Sequence, residues 1–247
     1  MSDFLNRISE NLRAEKIFAV ATRISGTENV GAHLFVYADG ATENSLGDAE
    51  LDARVRADAL DFITGERSET RIYGDTQIFI ETYAPPPRLL IVGGVHTAIP
   101  LTHYAKILGF RVTIVDGRGR FATRERFPHA DELLVEWPDD VIPRLPIDAS
   151  TYVVILTHDP KFDIPTLRAL STTRPRYIGA MGSRETRRQH MDELRAQGVP
   201  EEFLKTVYGP VGLDLGGRSP EEMALAIIAQ IVAVRYGHSG GHLKLDS

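Results

Sequence analysis

Three consecutive prolines, Pro85-Pro86-Pro87, divide this chain into a short amino-terminal stretch and a longer remainder. Proline has no amide hydrogen to donate and fixes its own φ, so a run of three continues neither a helix nor an inner strand and acts as a stiff spacer. The sequence follows a different periodicity on each side of it. We therefore expect two domains, a small α+β unit over residues 1–84 and a larger α/β unit over 88–247, joined by the linker 85–87.

On the amino-terminal side, Phe4, Leu5, Ile8 and Leu12 share one face of a short helix. Residues 16–24 read as a strand. His33–Tyr37 and residues 41–46 read as a hairpin around Asp39-Gly40, a pair that tolerates the positive φ of a tight turn. Leu51, Val55, Ala59 and Phe62 recur at helical spacing up to Gly65, which is expected to stop the helix, and residues 76–83 form a further strand.

Beyond the prolines, strands and helices alternate. Residues 88–92, 111–115, 133–136, 152–156 and 176–179 are short apolar runs. Between and after them lie helical patterns at 99–108, 164–170 and 183–197, and one that begins at the capping box Ser219-Pro220-Glu221-Glu222. Buried continuous runs separated by helices predict a Rossmann-like, doubly wound, mainly parallel sheet.

In such a sheet, ligands bind outside the carboxyl ends of the strands where the strand order reverses. Three loops end strands here and supply the candidate site. The first is Gly93-Gly94-Val95-His96, with Gly93 for a tight turn. Val95 occupies the place where glycine normally lets a pyrophosphate approach. Asp116 ends the second strand, where an acid would hold hydroxyls, and Arg118 follows it. The second loop is Thr157-His158-Asp159. His158, with Asp159 beside it, is a candidate general acid/base, because imidazole titrates near neutrality. The alternative is that Asp159 caps the next turn. The third loop runs from Gly179 through Gly182 and Ser183 to Arg184, at the start of a helix whose free amides favour an anion. Arg184, Arg187 and Arg188 add positive charge, unless they pair with acids on their own helix.

Composition narrows the chemistry. The 247 residues include no cysteine, which excludes disulfides, thiolate metal sites and thiol nucleophiles; His158 is open to binding a metal as an alternative, but no metal site is assigned. A net charge of -6 argues against a nucleic-acid or anionic-membrane partner. No run reaches the roughly 20 apolar residues of a membrane helix, and no basic-then-apolar leader opens the chain. A cytoplasmic location is the expectation.

The motifs together resemble the xanthine dehydrogenase accessory family, XdhC/CoxI. They are residues 91–98, Leu108-Gly109-Phe110, Val115-Asp116-Gly117-Arg118, Phe121-Ala122, Arg126-Phe127-Pro128, Ala130-Asp131, Thr157-His158-Asp159, residues 177–184, Gly209 to Asp214 and Ser219 to Glu222. Gly31-Ala32-His33-Leu34-Phe35-Val36 resembles the family's first hairpin. The family then has a glycine-rich segment ending in cysteine, where this chain reads Ser45-Leu46-Gly47-Asp48-Ala49-Glu50, and Gln230 stands where an acid is frequent. The resemblance thus implies a divergent member lacking the cysteine motif. It further implies molybdenum cofactor (molybdopterin) binding and a xanthine-dehydrogenase-type molybdenum hydroxylase as client. A homodimer is expected on a separate ground, the mixed apolar helix from Ala224 to Val234, which has a second face to bury. The cofactor would lie among Gly93, Gly94, His96, Asp116, Arg118, Thr157, His158, Gly179, Gly182, Ser183 and Arg184. Two other readings stay open: an NAD(P)-dependent oxidoreductase using the same crevice, and a regulatory protein whose crevice holds nothing.

Overall fold

The structure is a computed structural model that describes residues 2–243. The chain divides into two compact units, Met1–Pro85 and Pro86–Ser247.

The first unit is a five-stranded antiparallel sheet with a helix on each face. Its strands are β1 (Phe18–Ser25), β2 (His33–Tyr37), β3 (Thr42–Asn44), β4 (Glu69–Tyr73) and β5 (Thr76–Tyr83), in the order β3-β2-β1-β5-β4. Successive side chains of a strand point to opposite faces, and β1 uses both. Ala19 and Ala21 lie with Leu34, Ile78 and Ile80 beneath Val55, Ala59 and Phe62 of helix α2 (Ala49–Gly65). Phe18 and Val20 lie on the other face with Phe35 and Tyr37, packed by Phe4 and Ile8 of helix α1 (Ser2–Arg13).

Two expectations are corrected here. Leu5 and Leu12 are exposed rather than packed, because the inner face of α1 runs through Phe4, Ile8 and the buried Asn11, whose amide donates to the Tyr37 hydroxyl at 3.1 Å. Gly65 is the last residue of α2, and the left-handed position that ends the helix is Glu66, at φ 49°.

The second unit has six parallel strands: β6 (Arg88–Val92), β7 (Arg111–Val115), β8 (Glu132–Leu134), β9 (Thr151–Ile155), β10 (Tyr177–Ala180) and β11 (Val207–Tyr208). Their order is β11-β10-β9-β6-β7-β8, so the first strand in sequence pairs with the fourth and the winding reverses between β6 and β9. This is the Rossmann topology.

Helices cover both faces, which is why the strands read as unbroken apolar runs. Leu89, Ile91, Val112, Ile114 and Val154 pack under α3 (Ala98–Ile107) and α8 (Pro220–Arg235). Leu90, Val92, Val153, Ile155 and Ile178 pack under α5 (Pro160–Leu170) and α6 (Arg184–Ala196). The short helices α4 (Pro138–Val141) and α7 (Glu201–Thr206) complete the second face. No helix among the described residues is long and apolar enough to cross a membrane.

Candidate functional site

At the reversal point the chain closes on itself. Gly93 turns at φ 102°, and its amide continues the ladder to the Val115 carbonyl at 2.8 Å. A Cβ on Gly93 would lie 2.7 Å from the Thr157 methyl, and one on Gly94 would lie 2.6 Å from the Phe121 carbonyl oxygen. These glycines therefore make room for protein backbone and side chain.

Asp116 is 0% exposed and fully engaged within the chain. Its carboxylate accepts from the Gly94 amide at 2.9 Å, from the Arg118 amide at 2.9 Å, and from Arg118 Nε and Nη2 at 2.9 and 2.8 Å. Burial alone would raise its pKa. The Arg118 guanidinium and the two amides outweigh that and hold it below the ordinary carboxylate range. Arg118 in turn stacks over Phe121 at 4.3 Å and over Phe162 at 4.9 Å.

The acid that would hold a ribose is thus already bonded to the Gly94 amide and to Arg118. A dinucleotide loses that contact, and Val95 stands where its pyrophosphate would approach, which weighs against the oxidoreductase reading.

The second loop also turns partly inward. Thr157 is buried, and its hydroxyl donates to Asp163 Oδ1 in a short hydrogen bond. Asp163, in the first turn of α5, is 1% exposed. Burial pushes its carboxyl up to about 7, the Thr157 hydroxyl opposes the shift, and the nearby charge of Asp159 adds to it. His190 Nδ1 of α6 lies 3.7 Å from Asp163 Oδ2, beyond hydrogen-bond reach, and burial lowers the His190 pKa, so no firm cation compensates the acid. Asp159 caps α5 by accepting from the Lys161 amide at 3.0 Å. That leaves His158 exposed at the loop tip.

An open pocket of about 490 Å³ lies one step along the sheet from the reversal point, over the ends of β9 and β10. His158, Gly182 and Ser183 line it, together with Met181 and the loop from Pro210 to Arg218. Its apolar wall is Met181, Val211, Leu213, Met223 and Ile227. Its polar groups are Ser183, Asp214, Arg218 and His158. The Ser183 hydroxyl caps α6 by accepting from the Thr186 amide at 3.1 Å. The loop is tied down behind the pocket. Gln230 Oε1, on α8, accepts from the Gly212 amide at 2.9 Å and from the Tyr177 hydroxyl at 2.5 Å.

Of the residues predicted from sequence, His158, Gly182 and Ser183 therefore come together in one pocket. Gly93, Gly94, His96, Asp116, Arg118, Thr157, Gly179 and Arg184 do not line it. His96 and Arg184 are exposed elsewhere, and Gly179 is buried where a Cβ would meet the Tyr177 ring and Val211. Two of the three candidate arginines of α6 are engaged locally as well. Arg188 pairs with Glu185 at 2.8 Å, and Arg187 turns back to donate to the Val207 carbonyl.

The 210–218 loop was missed as a site element. Its signal was present in Gly209, Gly212, Gly216 and Gly217, crowded between the last strand and the capping box of α8. Among the described residues, no three His, Cys, Asp or Glu side chains cluster as metal ligands would.

A parallel sheet in this order, closed at its first loop and open over β9 and β10, is a Rossmann-type domain, and the chain adds a small antiparallel one to it. Residues 89–231 match the XdhC Rossmann domain and residues 13–74 match the XdhC and CoxI family, and the chain belongs to that family. It is 31% identical over 160 residues to a probable xanthine dehydrogenase subunit of Bacillus subtilis (strain 168), covering 65% of this chain and 46% of that protein. It is 33% identical over 89 residues to the molybdenum cofactor insertion chaperone PaoD of Escherichia coli (strain K12), covering 36% of this chain and 28% of that one. Among solved structures, a xanthine dehydrogenase from Bacillus halodurans matches with a TM-score of 0.73 at 26% identity, over 94% of this chain and 66% of that one. The chain spans less than half the length of the curated relatives it matches.

Proposed function

We propose that this protein is an accessory factor that holds the molybdenum cofactor in the pocket over β9 and β10 and presents it to a xanthine-dehydrogenase-type client. The observation that carries the reading is the pairing of chemistries in that pocket. One wall is apolar, suited to the face of a pterin. The helix start at Ser183, with the Arg184 and Glu185 amides ahead of the capped Thr186, together with Arg218, suits a phosphate. A volume of about 490 Å³ is adequate for a ligand of that size. The similarity to a protein named as a molybdenum cofactor insertion chaperone supports the same assignment.

In this reading each residue binds rather than reacts. Arg218 and the α6 amides hold the phosphate, Asp214 accepts from ring N–H groups, and His158 stands at the mouth. His158 is exposed there and offers its ring nitrogens to the bound ligand. The reactive metal chemistry is supplied by the bound group and expressed in the client. With no cysteine in the chain, the sulfur-bearing end of the cofactor is held without a thiolate from this protein.

The test is mass spectrometry of small molecules released from natively purified protein, followed by titration with the isolated cofactor. A retained pterin, and its depletion in Arg218→Gln and Ser183→Ala, is the expected result. A protein that neither retains a pterin nor binds added cofactor, yet takes up NAD or NADP, would refute the assignment.

A further inference from the structure

We propose that the amino-terminal domain has an anion site of its own, in which the buried guanidinium of Arg23 holds the carboxylate or phosphate group of a small ligand. This inference is independent of the cofactor assignment, because every residue in it belongs to the first unit.

Arg23 sits on β1, where the pairing with β5 shifts register between Arg23 and Ser25. It is only 8% exposed. Its Nη2 donates to the Thr76 hydroxyl at 3.0 Å, and its Nε is buried with no hydrogen-bond partner. Among the described residues, no carboxylate comes within ion-pair distance of it. A guanidinium carries five N–H donors and a permanent charge. Keeping that charge out of water with only a neutral hydroxyl for company is strongly unfavourable. The turn above it is shaped to keep it there. Gly26 has φ 135°, and a Cβ at that position would fall 2.8 Å from Nη2.

A cavity of about 400 Å³ opens against this guanidinium. Thr76 and Asn29 supply neutral hydrogen-bonding groups in its lining, and Arg54, whose guanidinium lies 5.3 Å from the Tyr73 ring, adds a second cation. Asp48 is committed to capping α2, accepting from the Leu51 amide at 2.7 Å. Asp48 keeps its charge in that role, and together with the exposed Glu28 and Glu50, which also line the cavity, it selects against a polyanion. The chemistry left over suits one compact oxyanion against Arg23. A buried fork with a free Nε is the donor geometry that recognises carboxylate and phosphate.

The experiment titrates inorganic phosphate, and separately acetate, into ¹⁵N-labelled full-length protein. The Arg23 Nε–H resonance and the thermal unfolding midpoint are followed together. A saturable shift with at least one probe is expected, and the tighter probe identifies the class of group. Arg23→Met is expected to weaken binding by about tenfold or more, while Arg218→Gln leaves the Arg23 resonance responsive. Ligand-free Arg23→Met is expected to be no less stable than the parent, since it removes an uncompensated charge. Should that variant fail to fold, exposed Glu50→Gln serves instead and must tighten binding by about threefold. No shift with either probe, full binding by Arg23→Met, or unchanged affinity in Glu50→Gln overturns the proposal.

Discussion

The hydroxyl of Tyr177 on β10 donates to the side-chain oxygen of Gln230 on α8 at 2.5 Å. Burial raises the pKa of this phenol, so it remains a donor across the working range. The same Gln230 oxygen receives the Gly212 amide, so one side chain anchors strand, helix and pocket loop.

Gln230→Leu leaves the Tyr177 hydroxyl and the Gly212 amide without their acceptor. Each unpaired buried polar group costs about 1–3 kcal/mol. Denaturant unfolding should show a combined loss of about 2–6 kcal/mol, and retained ligand should fall as the loop loosens. If Gln230→Leu matched the parent in both, the anchor would be unnecessary.

Gly94→Ala sets a Cβ against the Phe121 carbonyl oxygen, 2.6 Å away. Overpacking of this kind costs about 1–3 kcal/mol. The loss should appear in ligand-free protein. A dinucleotide cradle predicts the opposite pattern, with stability intact and affinity lost, so a melting curve and a binding isotherm separate the two.

Asp163 titrates up to about 7 when folded, against an ordinary 3.8. The folded protein therefore holds this proton more tightly than the unfolded chain. The resulting stabilisation is complete below about pH 4 and is lost as pH rises through about 7. Asp163→Asn removes the titration while an amide oxygen still accepts from Thr157. The parent should lose stability relative to the variant over that window, by at most about 4 kcal/mol. Parallel unfolding curves at each pH would contradict the assignment.

Ser219→Ala breaks the capping box of α8, in which the Ser219 hydroxyl accepts from the Glu222 amide and Glu222 returns the bond to Ser219. The expected cost is about 1 kcal/mol, read as a lower midpoint in urea. An unchanged midpoint would mean that packing alone holds the helix start.

How much of this was legible depended on what each signal reports. Strands β5 and β7 lie where the apolar runs put them, because a run buried on one or both faces announces itself. The edge strand β4 was missed because it is mostly exposed, with Ile72 on its outer side, and so shows no burial pattern. β11 has two residues, too few for any periodicity. At the site, strand order brings His158 and Ser183 to one pocket. Asp116 directly follows β7, but nothing in a linear pattern reveals that Arg118, two residues on, would claim its carboxylate. The loop from Gly209 to Gly217 shows its flexibility in the sequence, but its path across the sheet follows from the fold.

Because Phe121 roofs Gly94 and Arg118 stops the notch beside Asp116, the two flanks of the sheet carry separate duties. The β6–β7 flank acts as a keystone that tolerates little change. The β9–β10 flank ends in a span fastened through Val211, Gly212 and Leu213, with its stretch from Asp214 to Arg218 left exposed. Substitutions between Asp214 and Arg218 should therefore reshape the pocket while the arch beneath is left standing.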